Sequence, residues 1–339
     1  MKFASFIISL ALISCSTLPK IKSLKTIEVE KTSIRAISPK NENQVWFAGS
    51  GGNVGKVDFS DSSLELKTIT DSKNEFRSSA LVGNLFFTIN IGTPAQFFKV
   101  STNFDYNKIV YKEEGEKVFY DSFHFSNAMI GVAVGDPITN CFSLIITKNG
   151  GENWTKLSCD QLPKLVDGEA VFAASNSNIK VIDSTIYIIS GGKKSRLFKS
   201  ENLGETWEVF QTPIIQGETM TGAFTMDFYD KRIGFIAGGN CDKPNEKSNN
   251  KAITFNGGKT WKIVANNAFF GYTSCVQFVP NKKGKELVAC GSSGVFYSKD
   301  FGEHWIQLSD ENDFYTLRIP NEKTIFLAGK SKITQIQLY

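Results

Sequence analysis

TFNGGKTW (Thr254 to Trp261) is one of four near-copies of a single octapeptide, and counting the copies decides the fold. The others are TKNGGENW (147–154), SENLGETW (200–207) and SKDFGEHW (298–305). All four align without a gap on Ser/Thr at the first position, Asp/Asn at the third, Gly at the fifth and Trp at the eighth. Four of the chain's five tryptophans stand at that last position, which chance would rarely arrange. An alternating apolar run such as SLIIT enters each copy and a second such as WTKL leaves it, which predicts a β-hairpin with the octapeptide at its turn. Two more short runs precede each hairpin, for example SCVQFVP and ELVACGS before the copy at 298. Each unit is therefore a four-stranded antiparallel sheet.

Two degenerate copies come earlier: STNFDYNK (101–108), with Lys108 in place of Trp, and VDFSDSSL (57–64), which keeps only the spacing. After the sixth copy, FYTLRI, TIFLAG and ITQIQLY supply three strands of a seventh unit, and SLKTIEVE (23–30) at the N-terminus supplies the fourth. Closing a ring in this way removes exposed sheet edges. The expectation is an all-β, seven-bladed β-propeller of four-stranded antiparallel blades, with six blades as the alternative if the second unit is a distorted insertion.

Each residue of the octapeptide has a local task. The Asp/Asn side chain accepts backbone N–H bonds one or two residues on, Gly supplies a positive φ, and the Ser/Thr hydroxyl adds a further bond. The Trp ring then covers apolar surface between neighbouring blades. The pairs Asn149 and Trp154, Asn202 and Trp207, Asn256 and Trp261, and Asp300 and Trp305 are structural on this reading. These segments resemble the Asp-box, or bacterial neuraminidase repeat, which lies at the outer rim of propellers and implies a fold far more than an activity.

The wider pattern resembles propellers similar to the photosystem II stability and assembly factor. The likeness is carried by SIRAISPKNENQVWFAGSGGNVGKV (33–57), EFRSSALVGNLFFTINIG (75–92), GVAVGDPI (131–138), GEAVFAASNSNI (168–179) and GFIAGGNCDKPNEKSNNKAITFNGGKTW (234–261). It covers nearly all of the mature chain and implies a binding or assembly scaffold, not a reaction.

The N-terminus reads Met1-Lys2, then FASFIISLALIS, then Cys15, a basic start and a short apolar run before small residues. The run is too short to span a bilayer as a permanent helix. LISC resembles the bacterial lipobox, which implies a signal peptide over 1–14, lipidation of Cys15, an anchor and linker over 15–22 and one propeller domain over 23–339. The expected address is a bacterial cell envelope, with the protein anchored to a membrane by acyl chains and facing the periplasm or exterior. Across 339 residues the 38 basic side chains nearly balance the 34 acidic ones, and no basic run is interleaved with aromatics, so nucleic acid is excluded as a partner.

Function is sought on the innermost strands, away from the octapeptides. Aligning Ile34, Phe76, Tyr272 and Phe314 puts Arg35, Arg77, Thr273 and Tyr315 in one ring at a channel mouth. Two arginine forks there suit a carboxylate or phosphate. Asp136 and Glu169, in strand-end loops, are candidate partners for those arginines, and the resemblance adds Asn176 and Asn240. The expected ligand is a protein or peptide, or an anionic small molecule or glycan. A sialidase-like glycoside hydrolase using Asp136, Glu169 and a Tyr is the alternative. RIP at Arg318 matches a sialidase arginine motif, but it follows the boxes instead of preceding them, and its odd offset from the ring aims it at the opposite face.

With only His124 and His304, the chain lacks the parts for a zinc centre or a Ser-His-Asp triad, and no glycine-rich loop leads into a helix. No metal and no cofactor are expected. Of the cysteines other than Cys15, Cys275 with Cys290 and Cys141 with Cys159 are each centred on a hairpin turn, so both pairs are candidate cross-strand disulfides, leaving Cys241 over. The competing reading of all five is as small buried hydrophobes.

Overall fold

The computed structural model describes residues 19–339, so the expected signal peptide and Cys15 lie outside the described residues. Those residues form antiparallel strands almost throughout, with one 3-10 turn at Cys159–Gln161. The expectation of an all-β propeller of four-stranded antiparallel blades describes the architecture. Within a typical blade, burial falls from the inside out. Ser143–Thr147 (SLIIT) is buried at every position, whereas the rim strand Ser63–Thr68 (SLELKT) is mostly exposed. A strand covered on both faces reads as a continuous apolar run, and a rim strand can carry charge. The second unit, the irregular one by its sequence, is an ordinary sheet of Phe76–Val82, Leu85–Asn90, Ala95–Ser101 and Asn107–Glu113.

The strands hydrogen-bond into six sheets, and this corrects the expectation of seven separate ones. The reason lies in two long strands. Ile21–Pro39 pairs through its first part with Thr324–Leu338 (Ile21 opposite Leu338, Glu28 opposite Lys332) and through its second part with Gln44–Gly49. Thr324–Leu338 pairs in turn with Phe314–Asn321. No break separates the two parts of Ile21–Pro39, so the strands assigned to the first and last units share one six-stranded sheet, and the termini close the ring. The second six-stranded sheet arises where Glu169–Ala170 and Gly191–Gly192 attach to Thr221–Phe228. There Gly191 faces Gly222, and a Cβ on Gly222 would lie 2.5 Å from the Gly191 Cα, so only glycine allows the backbones so close.

The four octapeptide turns share one bonding scheme. The first-position hydroxyl accepts the amide four residues on: Gly151 N to Thr147 Oγ1 at 2.9 Å, Gly204 N to Ser200 Oγ at 2.8 Å, Gly258 N to Thr254 Oγ1 at 3.0 Å and Gly302 N to Ser298 Oγ at 2.9 Å. The Asp/Asn side chain also reaches four residues, not the expected one or two, as with Thr260 N to Asn256 Oδ1 at 2.9 Å. Each Trp packs against the preceding sheet: Trp154 lies 4.4 Å from Phe97 between ring centroids, and Trp305 packs on Phe235 and Phe270. Cys141 and Cys159 form a disulfide. Cys275 and Cys290 are directly opposed in the ladder but remain thiols, which corrects the second expected bridge. Each is turned to its own neighbour, Cys275 to the Leu317 carbonyl at 3.6 Å and Cys290 to Ser274 Oγ at 3.9 Å.

Candidate functional site

Six innermost strands each carry one extra residue near their start. The register slips around Arg35, Arg77, Asp121, Phe224, Ser274 and Tyr315, leaving each unpaired between two paired neighbours. A β-bulge bends the strand and re-aims the extra side chain. Here it sets one residue from each strand at an equivalent level around the same mouth. Arg35, Arg77 and Tyr315 stand where the sequence places them. The fourth expected member, Thr273, is instead paired with Gly291, and its neighbour Ser274 is the bulged residue. Asp121 and Phe224 were not among the sequence candidates.

Arg35 stacks on the Tyr315 ring at 4.1 Å and donates from Nη1 to the Ala174 carbonyl at 3.3 Å. Its Nε is buried without a partner. Burial, and then the neighbouring charge of Arg77, pull its pKa below the usual arginine value. Arg77 has its own acid, donating from Nε to Glu75 at 2.8 Å, with both side chains over a quarter exposed. The acid that balances Arg77 is therefore Glu75 rather than Asp136 or Glu169.

Glu169 is buried and fully engaged by Arg196, by Ser190 Oγ at 2.6 Å and by the Val166 amide at 3.1 Å. It anchors the loop before the channel and does not project into the mouth. Asp136 accepts the Val171 amide at 3.2 Å, and burial raises its pKa to about 6. Beside it Asp121 is buried with neither carboxylate oxygen at hydrogen-bond geometry to any described group. Burial and the adjacent Asp136 push the Asp121 carboxyl well above its usual range, offset only in part by Arg77 and nearby backbone amides. Asn240 is turned inward, accepting the amides of Asp242 and Lys243 and donating to Glu218 at 3.0 Å, so it shapes its own loop.

Asn176 has a different task from the one the resemblance implied. The segment from Ala174 to Asn178 runs through the channel and bonds to strands all round it. Ser175 Oγ donates to the Ser274 carbonyl at 2.6 Å, Ser177 pairs with Thr225 at 2.7 Å, and Arg318 donates to the carbonyls of Ser175 and Asn176. Asn176 donates to the Ser79 carbonyl at 2.9 Å and accepts the Phe123 amide at 3.0 Å, in a left-handed backbone (φ 54°) that Asn tolerates well. A bundle of unpaired inner edges would otherwise leave buried polar groups without partners; this plug satisfies them. The mouth is accordingly closed beneath, with Phe172 stacked on Phe224 at 4.0 Å and Tyr272 edge-on to Phe224.

Two guanidinium groups at one mouth, over a plug hydrogen-bonded to the strands around it, describe a β-propeller whose channel is closed within. Solved structures agree on the fold. The chain is similar to YCF48 bound to D1 peptide (TM-score 0.66, 15% identity, 93% of this chain and 94% of that one). It is similar also to YCF48 from Cyanidioschyzon merolae (0.67, 12%, 93% and 98%) and to the RRP9 WD40 repeats (0.67, 9%, 95% and 100%). No family model matches the chain, and no curated protein does. Among the described residues no cluster of three or more His, Cys, Asp or Glu is placed to hold a metal, and no helix is long and apolar enough to cross a membrane.

Proposed function

We propose that the protein is a lipid-anchored, extracytoplasmic scaffold that holds a protein or peptide partner at the mouth formed by Arg35, Arg77 and Tyr315. The observation that carries this reading is the bulged ring itself, in which Arg35 keeps a buried Nε–H without a protein acceptor. A buried donor left unpaired is costly, and an incoming carboxylate or carbonyl would relieve it. The plug supports surface binding over a deep catalytic cleft, and the similar fold of a protein solved with a bound peptide supports a peptide-like occupant. An anionic small ligand or glycan would use the same guanidinium groups.

The same reading takes the six-stranded closing sheet, in which the two terminal strands pair, as the clasp of the six-sheet ring. It takes the four octapeptide turns as Asp-boxes and Cys15 as the anchoring residue of a bacterial envelope lipoprotein. Pull-down from membranes with the wild type and with an Arg35→Ala, Arg77→Ala double variant tests the mouth, and unchanged partner recovery would refute it. Detergent-phase partitioning of the wild type against Cys15→Ser tests the anchor separately.

A further inference from the structure

At the opposite end of the channel a cavity of about 260 Å³ is lined by residues from the ends of seven inner strands, among them Ser79, His124, Lys180, Asp227, Gln277 and Arg318. Its polarity follows from which atoms the protein has already used. The His124 Nδ1 accepts the Val181 amide at 3.3 Å, so the neutral ring must carry its proton on Nε2. Burial, with Lys180 and Arg318 close by, holds that ring's pKa well below the ordinary histidine value, so it stays neutral near pH 7. Gln277 Oε1 accepts the Ile319 amide at 3.1 Å, which leaves its amide nitrogen as the free end. Neither His124 Nε2 nor the Gln277 nitrogen has a partner among the described residues.

The acceptors at this mouth are already engaged. Asp227 takes Lys180 at 2.9 Å, the Phe228 amide at 3.0 Å and the Phe278 amide at 2.9 Å. The Ser79 carbonyl is held by Asn176, the Asn176 carbonyl by Arg318, and the Ser177 carbonyl by the Met226 amide. What faces the cavity is a surplus of donors, an imidazole N–H, a carboxamide NH₂ and the remaining protons of a quarter-exposed ammonium, beside the charge of the Arg318 guanidinium, whose Nη groups already donate to the Leu317, Ser175 and Asn176 carbonyls. With Lys180 and Arg318 against Asp227 the lining is net positive. Lys40 and Glu42, on the adjoining rim, cancel each other.

We propose that this second mouth binds a small oxyanion, a carboxylate or a phosphate, independently of the Arg35 and Arg77 mouth. The volume suits one such group with a few attached atoms, and a net positive lining whose free nitrogens are donors favours anions over cations.

Isothermal titration with inorganic phosphate, and with an acetylated dipeptide bearing either a free or an amidated C-terminus, separates the two sources of charge. The His124 Nε2–H resonance gives a local readout. Binding of phosphate or of the free-acid peptide is expected to shift that resonance and to weaken at least tenfold in Lys180→Gln. That substitution keeps a donor for Asp227 and is checked for folding by its melting curve. The Arg35→Ala, Arg77→Ala double variant should bind the probe as the wild type does. Absence of binding by all probes at millimolar concentration would overturn the proposal. So would binding that Lys180→Gln leaves unchanged, or binding that the double variant abolishes.

Discussion

The Arg35 guanidinium lies 4.1 Å from the centre of the Tyr315 ring, a contact between the innermost strand nearest the N-terminus and the one nearest the C-terminus. It therefore both helps close the ring and orients one of the two cations at the mouth. A cation over an aromatic face contributes about 0.5–2 kcal/mol, more as the pair is desolvated. Tyr315→Ala should weaken partner binding several-fold, and Tyr315→Phe, which keeps the ring, should leave it nearly intact. Titration of the captured partner checks this. Equal behaviour of the two variants would mean that the hydroxyl, or neither group, matters.

The octapeptide turns should prove structural and additive. Asn256→Ala removes the acceptor for the Thr260 amide and should lower stability by about 1 kcal/mol. Trp305→Ala empties a buried site between two sheets and should cost about 3–5 kcal/mol. The half-buried Trp261 should cost less. Denaturant titration measures all three, and partner binding per folded molecule should not change. A binding defect in well-folded Asn256→Ala would contradict the rim assignment.

The disulfide should be the covalent staple of its region. Cys141 and Cys159 are 18 residues apart, and closing a loop of that size stabilises by about 3 kcal/mol in the chain-entropy account. Cys141→Ser should therefore lower the denaturation midpoint clearly. Cys275→Ser, at a reduced and buried thiol, should act only through packing, and reductant should lower its denaturation midpoint by the same amount as the wild type's.

Acid pH should stabilise the mouth. Burial raises Asp136 to about 6 and pushes its neighbour Asp121 above the carboxylate range. Between the unfolded value near 4 and these raised values the native state binds more protons than the unfolded chain, so stability falls as pH rises through that window. The contribution is full below about pH 4 and is lost above the folded pKa values. Asp121→Asn removes the charge that burial penalises. It should raise the melting temperature at pH 7 and flatten the profile from pH 4 to 7. A profile as steep as the wild type's would place the titrating group elsewhere.

The repeated turn was legible because its chemistry is local: hydroxyl, carboxamide, glycine and indole sit within one octapeptide and need no distant partner. Arg35, Arg77 and Tyr315 were legible because they share a position relative to their strands. Asp121, Phe224 and Ser274 were not, because a bulge breaks the two-residue alternation and shows only in the register against the next strand. Reading Tyr272 as the strand's reference residue displaced the ring there by one. The separate first and last sheets were mistaken for a related reason: a strand that changes partner midway looks, in sequence, like two. Glu169 and Asn176 were misassigned because their partners, Arg196 in one case and Ser79 with Phe123 in the other, are set by the plug's path. No spacing rule encodes that path.

The plug offers the sharpest separation of side chain from backbone. Asn176 holds a left-handed conformation and ties the Ser79 carbonyl to the Phe123 amide. Asn176→Gly keeps the conformation without strain but leaves both buried groups without their partner, an expected loss of about 1–3 kcal/mol. Asn176→Ala loses the same bonds and must also hold a methyl-bearing residue at positive φ, adding about 1–2 kcal/mol. The glycine variant should therefore be the more stable of the two by chemical denaturation. Alanine equal to or better than glycine would show that the segment relaxes out of its left-handed turn once the carboxamide is gone. The plug would then be held by Ser175, Ser177 and Arg318 alone.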